Sequence, residues 1–585
     1  MRLRLTLVLF AAFTLGCSLF EPTDTGFDES SADSGGESGD AGLTVHCGDI
    51  EGDETWSAGV HRVKCDVEVI RGSLTLEPGV EVYIEEGFGI AVGADDYEAV
   101  LIAEGTESDP VRFLPLVEGS EPSWDGILFG GLAGGSRLAH TEVHQGGRGS
   151  TKGALVIESE LEVEYLHVDG ANNDGLHFRG DGGLAGASYG LTIENAGDHP
   201  VRIDVNRAHT LPSTASSYTG NGIDAIEVAG GDVDGDATWE DLGVPYELDA
   251  STSFGGSAGE PAVWTLGAGV TVQVAKNAAL NFSKDASASG LVVNGSPEAP
   301  VTLTSQGAEE AGYWSGLRIY EGAADVVIEG LIVEYAGGGS TAAAIWLKNA
   351  EVDLVDTTIR VSEGAGLGFK GSGRLGEDSS GIVIDDAGSL AYGPAGAMGT
   401  LPADTLATGL VDERIVLLDD GSIEAPATWP NLGVPYVIQV DVNIEGDAET
   451  PAVLSLAEGT ELRFDNGKVL ALGKNGAAGL VAVGTEEAPI VFTSQESNAA
   501  GAWDGIAVYS NTENEQLVLD HVRVENAGGG PLDGALHFND AGGSLDHLVV
   551  NNSETWGVWI EGSESPTLGE ISGEDNALGL IYVDD

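Results

Sequence analysis

Positive charge is scarce in this chain: 24 Lys and Arg stand against 95 Asp and Glu among 585 residues, a formal charge of −71. That field repels phosphate backbones, which excludes nucleic acid as a partner. The acids are spread along the chain, as a solvated acidic surface requires; binding of cations or cationic partners is the sharper alternative. Helical periodicity is nearly absent beyond the N-terminus, and no apolar run is long enough to cross a bilayer. Cysteine is limited to Cys17, Cys47 and Cys65. What is plentiful is glycine, 88 residues without a collagen period, in a chain that is 42% hydrophobic. Many short strands joined by tight turns account for that mixture.

Arg2 and Arg4 precede the short apolar run LTLVLFAAFTL, followed by Gly16-Cys17, as in an export signal. TLGC resembles the lipobox of bacterial lipoproteins, with Thr14 and Leu15 departing from the usual residues. The resemblance implies cleavage after residue 16, an acyl anchor on Cys17 inserted in membrane lipid, and a place in the bacterial cell envelope, at the outer membrane or cell surface. A plain secretory signal, and a secreted protein, is the alternative. Residues 17–42, rich in Ser, Gly, Asp and Glu, read as a disordered acidic tether. A flexible chain of about 25 residues reaches on the order of 25 to 30 Å. In an exported protein Cys47 and Cys65 read as a disulfide stapling the first folded layer, worth about 3 kcal/mol by loop closure.

The rest says nearly the same thing three times. EGTESDPVRFLP from Glu104, NGSPEAPVTLTS from Asn294 and VGTEEAPIVFTS from Val483 lie 190 and 189 residues apart, and Trp124, Trp314 and Trp503 follow in the same register. Trp56, Trp239 and Trp429 mark three module starts. Modules two and three carry seven extra residues between that TW pair and the next strand, expected in a surface turn. The organisation is therefore a leader, 1–16, the tether, 17–42, and modules 43–225, 226–415 and 416–585, the last without a connector. Within modules, runs of four to six alternating aliphatics are separated by Gly, Asn, Asp and Pro, with a smaller period of about 20 to 27 residues. One such coil cannot bury its inward aliphatics, so coils must stack.

LTLEPGVEV, EGTESDPVRF and SWDGI resemble the repeats of right-handed parallel β-helix proteins of the bacterial surface and lipoprotein type. The resemblance covers roughly residues 43–585 and implies an all-β solenoid of three tandem modules, with some 20 coils making a rod on the order of 100 Å long at ~4.8 Å per coil. A β-propeller, with even blades of about 40 to 50 residues, fits the uneven coils poorly.

Many parallel β-helices are polysaccharide lyases, hydrolases or epimerases. The polygalacturonase-like pattern fails here: no histidine precedes a glycine and no Arg-Ile-Lys occurs. Weak catalytic candidates are His140, His167, His177 and Arg179 in module one, with His144 nearby and Lys370 at the place of Arg179 in module two; surface or bend residues are the alternative. Asp232, Asp234 and Asp236, with Asp49, Glu51 and Asp53 in the same register, form alternating carboxylates suited to Ca²⁺ or to an acidic turn. No cofactor is required by this reading. Six tryptophans recur in register and are expected to pack; Trp264, Trp346, Trp556 and Trp559 do not recur and are ligand-stacking candidates. The expected function is a surface structural or binding rod for glycan or another envelope component. The alternatives are an enzyme on polysaccharide with its site on module one, and a Ca²⁺-dependent adhesin.

Overall fold

The computed structural model describes residues 43–584 except 118, 120–123, 149–151, 258–259 and 325. The leader, Cys17 and the tether lie outside the described residues. From Thr44 onward the described residues form a parallel β-helix: short strands pair in parallel with the strands of the next coil, and the helical pieces among the described residues are the four-residue Ala395–Met398 and two 3₁₀ turns.

The alternation in the sequence is the alternation of burial. The strands Val111–Pro115, Val301–Ser305 and Ile490–Ser494, which close the thrice-repeated phrase, all run buried, half-buried, buried. Val111, Phe113, Val301, Leu303, Ile490 and Phe492 fill one continuous core. The phrase needs its glycine for a steric reason. A Cβ would lie 2.4 Å from the His140 carbonyl oxygen at Gly105, 2.2 Å from that of Gly330 at Gly295 and 2.8 Å from that of His521 at Gly484. The turn is pressed against the next coil three times over.

Recurrent tryptophans are core posts. Trp56, Trp124, Trp239, Trp314, Trp429 and Trp503 are at most 2% exposed. The indoles of Trp124, Trp314 and Trp503 donate to the carbonyls of His144, Glu334 and Glu525 at 2.7–2.8 Å. Trp239 and Trp429 stack on Tyr246 and Tyr436, whereas Trp56 stacks on His46 and His61. The seven extra residues divide between two places: part lengthens the turn between Trp239 and Tyr246, and the rest lies ahead of strand Ala262–Leu266, where an antiparallel bridge joins Ser257 to Glu260. The Cys47–Cys65 disulfide is present, with Cα atoms 5.0 Å apart, and joins strands Thr44–Glu51 and Gly59–Leu76.

The ladders show how modules follow one another. Val80–Ile84 pairs onward to Val111–Pro115, whereas Gly89–Val92 pairs to Gly126–Phe129 on a second ladder. Thr271–Val274, the module-two counterpart of Val80–Ile84, stands on that second ladder, reached through Gly153–Ile157, Asp174–Phe178, Val201–Asp204, Ile226–Ala229 and Tyr246–Leu248. Glu461–Phe464 of module three is displaced in the same way. Each connector thus hands the module pattern one face round the helix, so equivalent outer surfaces of successive modules look in different directions.

Candidate functional site

The module-one candidates do not converge. His140 sits at a bend with φ 43° and stacks on Tyr165 at 4.9 Å. His167 projects from the first ladder, 3.0 Å from Glu194 and edge-on to His144. His177 and Arg179 belong to the second ladder, Arg179 Nη1 lying 3.8 Å from Glu158 Oε1. The coil register thus spreads the four candidates over a bend, His140, the first ladder, His167, and the second ladder, His177 and Arg179, and does not gather them into one cluster. Lys370 pairs with Asp419 at 3.4 Å.

The tryptophan candidates also separate. Trp264 is fully buried against Phe254, Phe282 and Trp239 and offers no face to a ligand, because its coil turns it inward with Ala262 and Leu266. Trp346 is 9% exposed and meets Tyr320 edge-on. Trp556 and Trp559 are half-buried beside Tyr582, which stacks on Trp559 at 4.1 Å. His537, Trp559 and Tyr582 pair in register, making an outward aromatic row on three adjacent coils. Turns that follow strands of this ladder line a groove of about 720 Å³, with Asp447, Asn475, Asn511, Glu513, Glu515 and Gln516. Gln516 Oε1 is buried there without a hydrogen-bond partner.

Of the acidic triplets, Asp53 and Asp236 accept hydrogen bonds from the next coil's amides, Ser73 N at 3.1 Å and Val263 N at 3.0 Å. Asp49, Glu51, Asp232 and Asp234 are exposed. Among the described residues, the trios whose ligating atoms lie within 4.8 Å of one another are Asp174, His199 and Glu227, and Asp520, His521 and His547; neither contains a member of those triplets.

The first trio belongs to a polar cluster on the first connector. His177, Arg202, Glu227, Glu247 and Gln273 stand in one outward row of the second ladder. His177 Nδ1 meets Asp174 Oδ2 at 2.9 Å, and Arg202 Nη1 meets Glu227 Oε2 at 3.0 Å. His199 projects between the carboxylates: Nε2 is 3.3 Å from Glu247 Oε2, which also accepts from Gln306 at 2.9 Å. Asp174 is 3% and His199 7% exposed. Burial opposes the charged form of His199, but the hydrogen bond to Glu247 and the charges of Glu227 and Asp198 outweigh it and raise its pKa. The same hydrogen bond lowers Glu247, while burial raises Glu227. Of these residues only His177 stands out in the sequence; the available signal for the others is disagreement between modules, IEV against IVL and YEL against YVI at Glu227 and Glu247.

The second trio sits on a module-three bend beside an open groove of about 440 Å³. His521 and His547 stack at 4.2 Å, each Nδ1 2.8 Å from Asp520 Oδ1. Their module-one counterpart at this bend is the His140–Tyr165 stack.

Compared with family models, curated proteins and solved structures, the chain matches none.

Proposed function

We propose that the chain is an exported, lipid-anchored β-helix protein of the right-handed repeat type, held at the bacterial cell surface through Cys17, whose outer faces bind a glycan or another envelope component. The observation that carries this reading is the outward aromatic row of His537, Trp559 and Tyr582, to which module three adds a separate polar groove lined by Asn475, Asn511 and Gln516. Flat half-exposed rings stack on sugar faces, and side-chain amides with a free acceptor answer hydroxyl groups. The acidic lining favours neutral or cationic sugars over uronates.

The test is a glycan and polysaccharide panel scored for both binding and product release. The expected outcome is binding without new reducing ends, weakened about tenfold by Trp559→Ala, or ~1.4 kcal/mol. Binding that ignores Trp559→Ala and Gln516→Ala removes this surface from the proposal. An enzyme on polysaccharide remains the second reading, supported by the opposite pKa shifts of Glu227 and Glu247 around His199, the arrangement that divides acid from base. Product release abolished by Glu227→Gln would put that reading first.

A further inference from the structure

We infer that Asp174, His199 and Glu227 bind one divalent transition-metal cation, Zn²⁺ being the best match, on the first connector. This goes beyond what the outer faces bind and is independent of it. Three observations on the page converge.

First, the donors are of the right kind and close enough. One imidazole nitrogen and two carboxylates are a mixed N/O set that Zn²⁺ accepts without geometric demands of its own. Ligands held at about 2.0–2.2 Å lie at most ~4.4 Å apart, so atoms already within 4.8 Å need only small side-chain shifts.

Second, one nitrogen of His199, Nδ1, is buried among carboxylates without a hydrogen bond, although Asp198 Oδ1 and Glu227 Oε2 stand 3.2 and 3.6 Å away. The other nitrogen, Nε2, faces the Glu247 carboxylate, which Gln306 fixes from a later coil. An imidazole that donates outward to a carboxylate presents its remaining lone pair inward, the tautomer a metal selects.

Third, every ligand has a holder. His177 fixes Asp174, Arg202 fixes one oxygen of Glu227, and Glu247 fixes His199. Metal ligands are characteristically oriented in this way by hydrogen-bonding partners behind them. The charge points the same way: Asp174 is buried, Glu227 and Glu247 are half-buried and Asp198 is half-exposed, while the guanidinium paired among them, Arg202, reaches Glu227, and desolvated carboxylates in excess favour a cation.

The second connector has none of this. Its corresponding row is Gly368, Tyr392, Val416 and Val437, so the site is confined to one place in a threefold-repetitive chain.

The full-length protein is loaded with Zn²⁺ at pH 8, dialysed, and its bound metal counted by mass spectrometry, with affinity read by competition against a chromogenic chelator. The expected result is one equivalent that is lost in His199→Ala and in Glu227→Gln but kept in His547→Ala. Glu247→Gln, which leaves the ligands in place, should bind about 10- to 100-fold more weakly. Far-UV circular dichroism establishes that each variant folds; if His199→Ala does not, Glu227→Gln and Glu247→Gln decide. Co²⁺ in place of Zn²⁺ should give visible d–d absorption that His199→Ala abolishes. An equal metal count in wild type and folded Glu227→Gln, or loss of the equivalent in His547→Ala instead, overturns the inference.

Discussion

The two connectors solve one structural problem with opposite surfaces. Each moves the module pattern one face round the stack and delivers a tyrosine onto a core tryptophan, Tyr246 on Trp239 and Tyr436 on Trp429. Outward, the first carries His177, Arg202, Glu227 and Glu247, the second Gly368, Tyr392, Val416 and Val437. Glu247 is half-buried by hydrogen bonds, whereas Val437 is 1% exposed and Val416 9%. A coil's inward row is dictated by packing density, while its outward row is answerable only to whatever covers it. Chemistry is therefore free to differ where the scaffold does not.

The comparison breaks most severely if the shared core is not equivalent. Trp239→Ala and Trp429→Ala should each cost about 3–5 kcal/mol, by similar amounts, in denaturant unfolding followed at the corresponding connector. A mild effect at one of them would mean that the Trp–Tyr posts differ in role. Next in size is Val437→Glu, which puts a carboxylate at a buried position without a partner and should cost about 3 kcal/mol unless the group takes up a proton. The reciprocal Glu247→Val strips His199 Nε2 of its acceptor and should cost about 1–3 kcal/mol. Equal penalties for the two exchanges would contradict an apolar cover on one connector and a polar network on the other.

The smallest effect is a pH dependence. In the metal-free chain the His199 pKa is raised, so its contribution to stability is complete below the unfolded value near 6.5 and is lost as pH rises through the folded value. Imidazole proton resonances followed from pH 5 to 9 should show His199 titrating above an ordinary histidine, and Glu247→Gln should bring it down. No counterpart titration exists in the second connector row, whose members are Gly, Tyr and Val.

Much of the scaffold is legible in the chain. Period-two burial in VRFLP, VTLTS and IVFTS and the packing of six recurrent tryptophans follow from alternation and repetition, and the Cys47–Cys65 disulfide from two neighbouring cysteines read in an exported chain. Trp264 shows the limit. Its lack of a counterpart marks it as unusual, but its inward orientation depends on where its strand starts.

The candidate site was hidden for a related reason. The outward row passes through residues 156, 177, 202, 227, 247 and 273, so its steps are unequal and no periodic spacing appears in the text. The turns between strands differ in length, and each inserted residue moves every later side chain round the coil. Local alternation, glycine placement and repetition determine that this chain stacks parallel coils, since these depend on neighbours in sequence. Which glutamates meet His199 is decided only when coil lengths and parallel register are set together, because its contacts with Glu227 and Glu247, and the bond from Gln306 to Glu247, join residues about 30 to 60 positions apart.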